Sequence, residues 1–396
     1  MPPLTSATWF DYDHFSRNLN ICSNPTHPIP LNDLLYTGDP IADAAYTSVK
    51  RSGPPYRTFD DILVKRDSGN HELTGAERAF LREVEHVPEW VDWDKVNRGR
   101  DVFWRNMGAI QVVLLYASLA GGFSIPRVND VLIRTGYLSN PRHINRRLLE
   151  TGQMINDIMQ HGLRPGSDGW KSVLRVRFLH CAVRRRQLPE KTEDTVNSKK
   201  VIPINQTDLI GTLLGFQCSV ITGLTYLWIY LTPSERDDYT HLWRYVGYLI
   251  GVKEENNPLA HGFEATCACL RDYLELYFVP DHTSTQLSQT LLKTVSSSDG
   301  SKSNRPSYEL NVSITRRFLS PELADALELP LPTLRYRLLA LLFCWVVWVF
   351  GLLGYLPGIG GRVIEGRKKR MARIMEAINS KSGQPSPERG VVSKDE

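Results

Sequence analysis

Leu174-Arg175-Val176-Arg177-Phe178-Leu179-His180-Cys181-Ala182-Val183-Arg184-Arg185-Arg186 reads as one helix with a histidine at its centre. Arg177 and Arg184 stand at i−3 and i+4 from His180, spacings that return to one helix face. At about 100° per residue, both arginines fall within about 60° of the His180 direction. Val173, Val176 and Val183 share that side. Desolvation and like charge both favour neutral imidazole there, and neutral imidazole is the form that binds iron. The paired cations also suit a ligand carrying carboxylates, such as haem propionates. A single helical histidine is more often a structural residue than a ligand, and its arginines serve as a solvated face or as salt-bridge partners. The run alone leaves both readings open.

Outward from this run the pattern stays helical. Thr74 with Glu77 forms a capping-box signature that opens a helix reaching Val84, with Pro88 beyond its end. Ala109 to Ala120 is nearly all apolar, a buried helix stopped by Gly121-Gly122. Asn129 to Thr135 is a shorter helix with Gly136 as its stop. Arg142 to Gln160 is another, with Arg147, Thr151, Met154 and Ile158 in one stripe. Thr207 or Asp208 is the cap expected for a long buried helix over Leu209 to Leu231. Pro233 starts a helix carrying Trp243, Tyr245, Gly247 and Gly251, and Ala260 to Phe278 is amphipathic. Period-two alternation is nearly absent, so the expected class is all-α.

The 396 residues are 42% hydrophobic and 23% charged, a globular composition. A net charge of +4 is too small to imply nucleic acid. None of the six cysteines forms a CxxC pair, and most lie in apolar runs, which argues for a reducing compartment. Residues 1–20 lack the apolar core of a secretory signal.

Leu338 to Leu356 is an uncharged run long enough to cross a bilayer core of about 30 Å. Arg362, Arg367, Lys368, Lys369, Arg370 and Arg373 crowd the segment behind it. A cytosolic domain whose hydrophobic segment dips into the membrane and returns reconciles this flank with the missing signal. Pro357-Gly358-Ile359-Gly360-Gly361 supplies the turn, and Arg362 to Ile378 lies on anionic headgroups. The glycosylation sequons at Asn205 and Asn311 are then expected to go unused.

Six pieces in order carry a family resemblance. They are Val87-Pro88-Glu89-Trp90-Val91-Asp92, then Ser118-Leu119-Ala120-Gly121-Gly122 with Thr135-Gly136, then Arg146-Arg147-Leu148-Leu149-Glu150-Thr151. Arg175 to Arg184, Pro203-Ile204-Asn205-Gln206-Thr207-Asp208-Leu209 and Trp243-Arg244-Tyr245-Val246-Gly247 complete the series. Over residues 85 to 280 the chain resembles the MpaB-like fungal endoplasmic-reticulum oxygenases, whose domain the latex-clearing rubber oxygenases share. The resemblance implies an all-α, globin-like helical bundle around a b-type haem. It makes His180 the proximal iron ligand, through an R-x-x-H-x-x-x-R pattern on Arg177, His180 and Arg184. It also places Arg147, Glu150 and Thr151 on an R-x-x-K-T distal pattern, with Glu150 where those relatives carry lysine. That departure removes an amine ligand and leaves a carboxylate able to move protons or pair with Arg147. Asp208, if not a helix cap, is an acceptor for the second His180 nitrogen.

The resulting expectation is a haem-b-dependent oxygenase using dioxygen on a lipophilic prenyl, polyketide or terpenoid substrate in secondary metabolism, through C=C cleavage or hydroxylation. Arg147, Glu150 and Thr151 are its catalytic residues, and Arg177, His180 and Arg184 hold the cofactor, with His180 on the metal. A non-catalytic, membrane-anchored haem- or lipid-binding protein is the alternative. The expected organisation is an N-terminal wrap (1–70), a haem-binding helical domain (71–282), a Ser-rich linker (283–308) and a helical extension (309–334). A membrane segment with its basic flank (335–378) and a tail (379–396) follow. The expected place is the endoplasmic-reticulum membrane, with the catalytic domain in the cytosol.

Overall fold

The computed structural model describes residues 25–51, 58–69, 73–136, 141–187, 200–296 and 306–382. Among them no strand occurs, as the missing period-two pattern predicts. The helices are α1 (Pro40–Arg51), α2 (Phe59–Asp67), α3 (Gly75–Glu85), α4 (Trp93–Val113), α5 (Pro126–Arg134), α6 (Pro141–His161), α7 (Asp168–Gln187) and α8 (Gln206–Phe216). They continue as α9 (Cys218–Tyr226), α10 (Pro233–Ile250), α11 (Gly262–Tyr277), α12 (His282–Thr294), α13 (Tyr308–Phe318), α14 (Pro321–Ala326), α15 (Leu334–Leu352) and α16 (Gly360–Ser382).

Local chemistry sets many of these ends. Thr74 Oγ1 accepts from the Glu77 amide at 3.3 Å while Glu77 Oε2 accepts from the Thr74 amide at 2.8 Å, the predicted capping box of α3. Thr232 and Glu235 repeat the device on α10, with Pro233 at its first position. The α10 helix stops at Gly251, which is left-handed at φ +100°.

Three expectations change. The helix predicted over Leu209 to Leu231 breaks at Gln217, whose buried side-chain amide donates to Thr240 Oγ1 at 2.6 Å. That bond ties the break to α10. The cap of α8 is neither Thr207 nor Asp208 but Asn205, whose side chain accepts from the Asp208 amide at 3.0 Å. The Thr207 hydroxyl instead donates to the Leu31 carbonyl at 2.6 Å. The stretch read as a Ser-rich linker starts as helix α12, which buries Leu287, Leu291 and Leu292. Residues 297–305 of that linker lie outside the described residues, as do residues 191–199 of the stretch Lys191 to Lys200, which its charged composition marks as a loop.

The central pair is α4 against α10. Gly99 permits the approach, because a Cβ there would meet the Asp238 carbonyl at 2.5 Å. The α6 and α7 helices pack side by side, and α1 and α3 close over the far side of α7. There Phe178 meets Phe59 and Phe80 with ring centroids 5.7 and 5.1 Å apart. Asn205 and Asn311 are both buried, so neither sequon is open to glycosylation.

Candidate functional site: a neutral histidine between clamped arginines

His180 lies in the fourth turn of α7 and is half-buried. Burial first, then the charges of Arg184 and Arg147, push the imidazole down to about 3. The ring is neutral at any physiological pH. Its Nδ1 is shielded and has no hydrogen-bond partner among the described residues. Asp208 does not supply the acceptor. It pairs with Arg127 Nε at 2.8 Å, and that guanidinium lies 4.0 Å over the Tyr277 ring.

The two arginines of the run are committed elsewhere. Arg177 donates from Nε and Nη2 to Asp39 at 2.7 and 3.0 Å, and from Nη2 to Glu83 at 2.6 Å. Arg184 donates from Nε and Nη2 to Asp43 Oδ1 at 3.0 and 2.8 Å, and from Nη1 to the Ile204 carbonyl at 3.0 Å. Both guanidinium groups are buried. Their geometry is that of a clamp fastening α7 to α1, to α3 and to the residues before α8. Salt-bridge partners, the bland reading of this run, are what the structure supplies, and the cationic surplus beside His180 is compensated by carboxylates. Burial raises the Asp39 carboxyl, but Arg177, with help from Arg184, overcomes this and holds it below its ordinary value. Gly251 lets α10 end against this pair, since a Cβ would meet Asp39 Oδ2 at 2.5 Å and Arg177 Nε at 2.9 Å. Asp39, Asp43 and Glu83 were missed in the sequence. The signal was Asp39-Pro40, an N-cap followed by proline at the first helical position.

Across the α6–α7 contact, the structure brings Arg147 close enough for its charge to act on His180. Thr151 is half-buried one turn further along α6. Glu150 is buried, and its Oε1 accepts from Arg146 Nε at 2.9 Å. Its Oε2 has no hydrogen-bond partner among the described residues. Burial raises the Glu150 carboxyl despite Arg146 and Arg147, which pull it down. The pair expected between Glu150 and Arg147 is thus a hydrogen-bonded one to Arg146, with Arg147 acting through its charge.

Among the described residues no three His, Cys, Asp or Glu side chains gather as a metal-binding group. The available donor is one neutral imidazole with an unspent nitrogen. That suits a cofactor supplying its own remaining ligands, as a haem does.

His241 is structural, its Nε2 accepting from the Asp92 amide at 2.9 Å. The Trp90 of the opening motif packs beside it and under Arg244, 3.9 Å from the ring centroid.

Comparison with known proteins places the fold. The fold matches the latex clearing protein in its closed state, with a TM-score of 0.59 at 20% identity, over 91% of this chain and 94% of that one. The ER-bound oxygenase mpaB of Penicillium roqueforti is 25% identical over 169 residues, 40% of this chain. The chain spans about half the length of that curated relative, 51% of it. The family described as "ER-bound oxygenase mpaB/B'/Rubber oxygenase, catalytic domain" matches residues 104–349, beyond the 280 at which the resemblance was read. With that match covering more than half of its length, the chain belongs to the mpaB/rubber oxygenase catalytic-domain family.

Proposed function

We propose that this protein is a haem-dependent oxygenase acting with dioxygen on a lipophilic substrate, with His180 as the iron ligand. The observation that carries the reading is the neutral His180 ring, its Nδ1 unspent, in a chain of a family named for oxygenases. Bound haem supplies the activation of dioxygen.

The chain's residues do the rest. The Asp39–Arg177 and Asp43–Arg184 clamps hold α7 in register, so the His180 ring keeps its position. In this reading Arg177 and Arg184 orient the ligand helix from behind, in place of meeting propionates. Arg147 holds positive charge on the α6 side of the pocket, where it favours anionic groups. Glu150, raised by burial and open at Oε2, holds and releases a proton there. Thr151 lines the same side. The substrate is a prenyl or related apolar compound, cleaved at a C=C bond or hydroxylated. The chain attaches to a membrane, the endoplasmic reticulum by its relative's name, with the catalytic domain in the cytosol.

The test is a Soret spectrum of purified protein, repeated on His180→Ala. The wild type shows the band and the variant loses it. Oxygen uptake with a prenylated aromatic then separates an enzyme from a binder. A wild type without haem, or a variant that retains the full band, removes this reading.

A further inference from the structure

Among the described residues three helical stretches are long and apolar enough to cross a membrane, but they sit differently in the fold. In the apolar 18-residue windows of Trp93–Gly122 and Gln206–Tyr226, 44% and 67% of the residues are buried, whereas in that of Leu334–Tyr355 only 22% are. Its outer face carries Leu334, Leu338, Leu342, Trp345 and Phe350, each at least half exposed. A row of large apolar side chains on one face is far more than the scattered exposure of an ordinary surface.

The opposite face is docked along the whole helix. Ala340, Cys344 and Gly351 are buried there, against α4, α13 and the chain beyond α9. Ser313 of α13 donates to the Tyr336 carbonyl at 3.0 Å near one end. At the other end Asn106, at the kink of α4, donates to the Tyr355 hydroxyl at 2.9 Å. Gly354 abuts the Arg105 carbonyl, which a Cβ would approach to 2.9 Å. The chain then turns through Gly358 and returns as α16, whose Arg367 donates to the Trp104 and Phe350 carbonyls at 3.1 and 2.6 Å. A helix fastened to the catalytic body at both ends and along its middle cannot cross a bilayer without taking that body with it.

The returning helix has the charge a lipid surface selects. Between Arg362 and Ala377 it carries six cations against two carboxylates, and Arg362, Lys369, Arg370 and Arg373 are exposed. On the exposed side of α16 Arg370 and Arg373 stand beside Ile374 and Ala377, a phosphate-and-chain pairing. The exposed Leu356 and Ile359 join this helix to the apolar face of α15.

We infer that α15 and α16 form a monotopic platform: α15 lies in the plane of one anionic leaflet with its outer face among the acyl chains, and α16 rests its cations on the headgroups. This rests on the membrane attachment proposed above and is independent of the haem.

The experiment adds purified full-length protein to sealed phosphatidylcholine vesicles with and without phosphatidylserine, then floats them. The protein floats with both and more with phosphatidylserine. Leu342→Glu with Trp345→Glu lowers the bound fraction about tenfold while thermal unfolding stays in place, because both side chains face outward. Arg370→Glu with Arg373→Glu abolishes the phosphatidylserine preference. In a Cys22→Ser background, Glu322→Cys before α15 and Glu376→Cys near the end of α16 both react with a membrane-impermeant maleimide outside the vesicles. Protection of the second alone means that α15 crosses, which overturns the in-plane placement and leaves attachment standing. No flotation overturns both. A protein that dissociates from dimer to monomer on the α15 substitutions, with flotation unchanged, assigns the apolar face to a second copy and overturns the inference.

Discussion

At the residue scale, the site is built from groups pushed toward neutrality. His180 is neutral because burial and two cations oppose its protonation. Glu150 is raised because burial outweighs Arg146 and Arg147. A carboxyl with a raised value stays protonated further into the pH range and loses its donor proton as pH climbs through that value. Glu150→Gln therefore lowers the oxygen-uptake rate by about a hundredfold at the wild-type optimum and removes the basic limb attributable to this proton, with the Soret band retained. A rate-against-pH profile of both proteins checks it, and an unchanged profile assigns Glu150 to the Arg146 pair alone. The sequence already marked His180 and Glu150 by pattern. Their protonation tendencies came first from burial, through packing that no local window records.

Among the elements, α7 is the piece on which the site depends, and its placement is electrostatic. Arg177 is buried with two carboxylates and Arg184 with a third near it. Removing one partner of such a pair leaves a charge without compensation in a low-dielectric place. Arg177→Met should cost about 3–5 kcal/mol in denaturant unfolding. The acid dependence follows from Asp39. Its folded value is held below its ordinary 3.8, so the pair's contribution is complete above that pH and is lost as pH falls through the folded value. In Asp39→Asn this acid-side loss is absent, and stability against pH is flatter below about pH 4. Acid titration of unfolding free energy for the two proteins measures the difference. The helical period of α7 was legible at once, as were the α3 capping box and the stripe on α6. The carboxylate partners were not, because they lie some 90 to 140 residues away, Asp39 and Asp43 in a segment that reads as an irregular wrap and Glu83 on the helix of the capping box. The break at Gln217 was equally hidden. An apolar run looks continuous until a buried amide finds its partner on another helix.

For the whole molecule, the family match runs to residue 349 and so includes most of α15. The helix belongs to the matched domain and is the least buried of the three long apolar stretches among the described residues. A platform held by apolar insertion behaves differently from one held by charge, since about 1 M salt shortens electrostatic reach to about 3 Å and leaves burial in place. Membrane fractions washed in high salt should therefore keep the protein, and detergent should release it. Release by salt alone identifies α16 as the sole attachment.

By itself the sequence determined the helical class, the family and the long apolar run, and it marked His180 as the candidate ligand. These are properties of period, composition and the order of local patterns along the chain. Only the tertiary structure decided that Arg177 and Arg184 clamp a helix, that Asp208 serves Arg127, that Glu150 leans on Arg146, and that the apolar helix is docked along one face. Each of these depends on which distant group reaches a buried charge or surface first. Burial makes that choice costly to reverse, and burial exists only once the helices have packed.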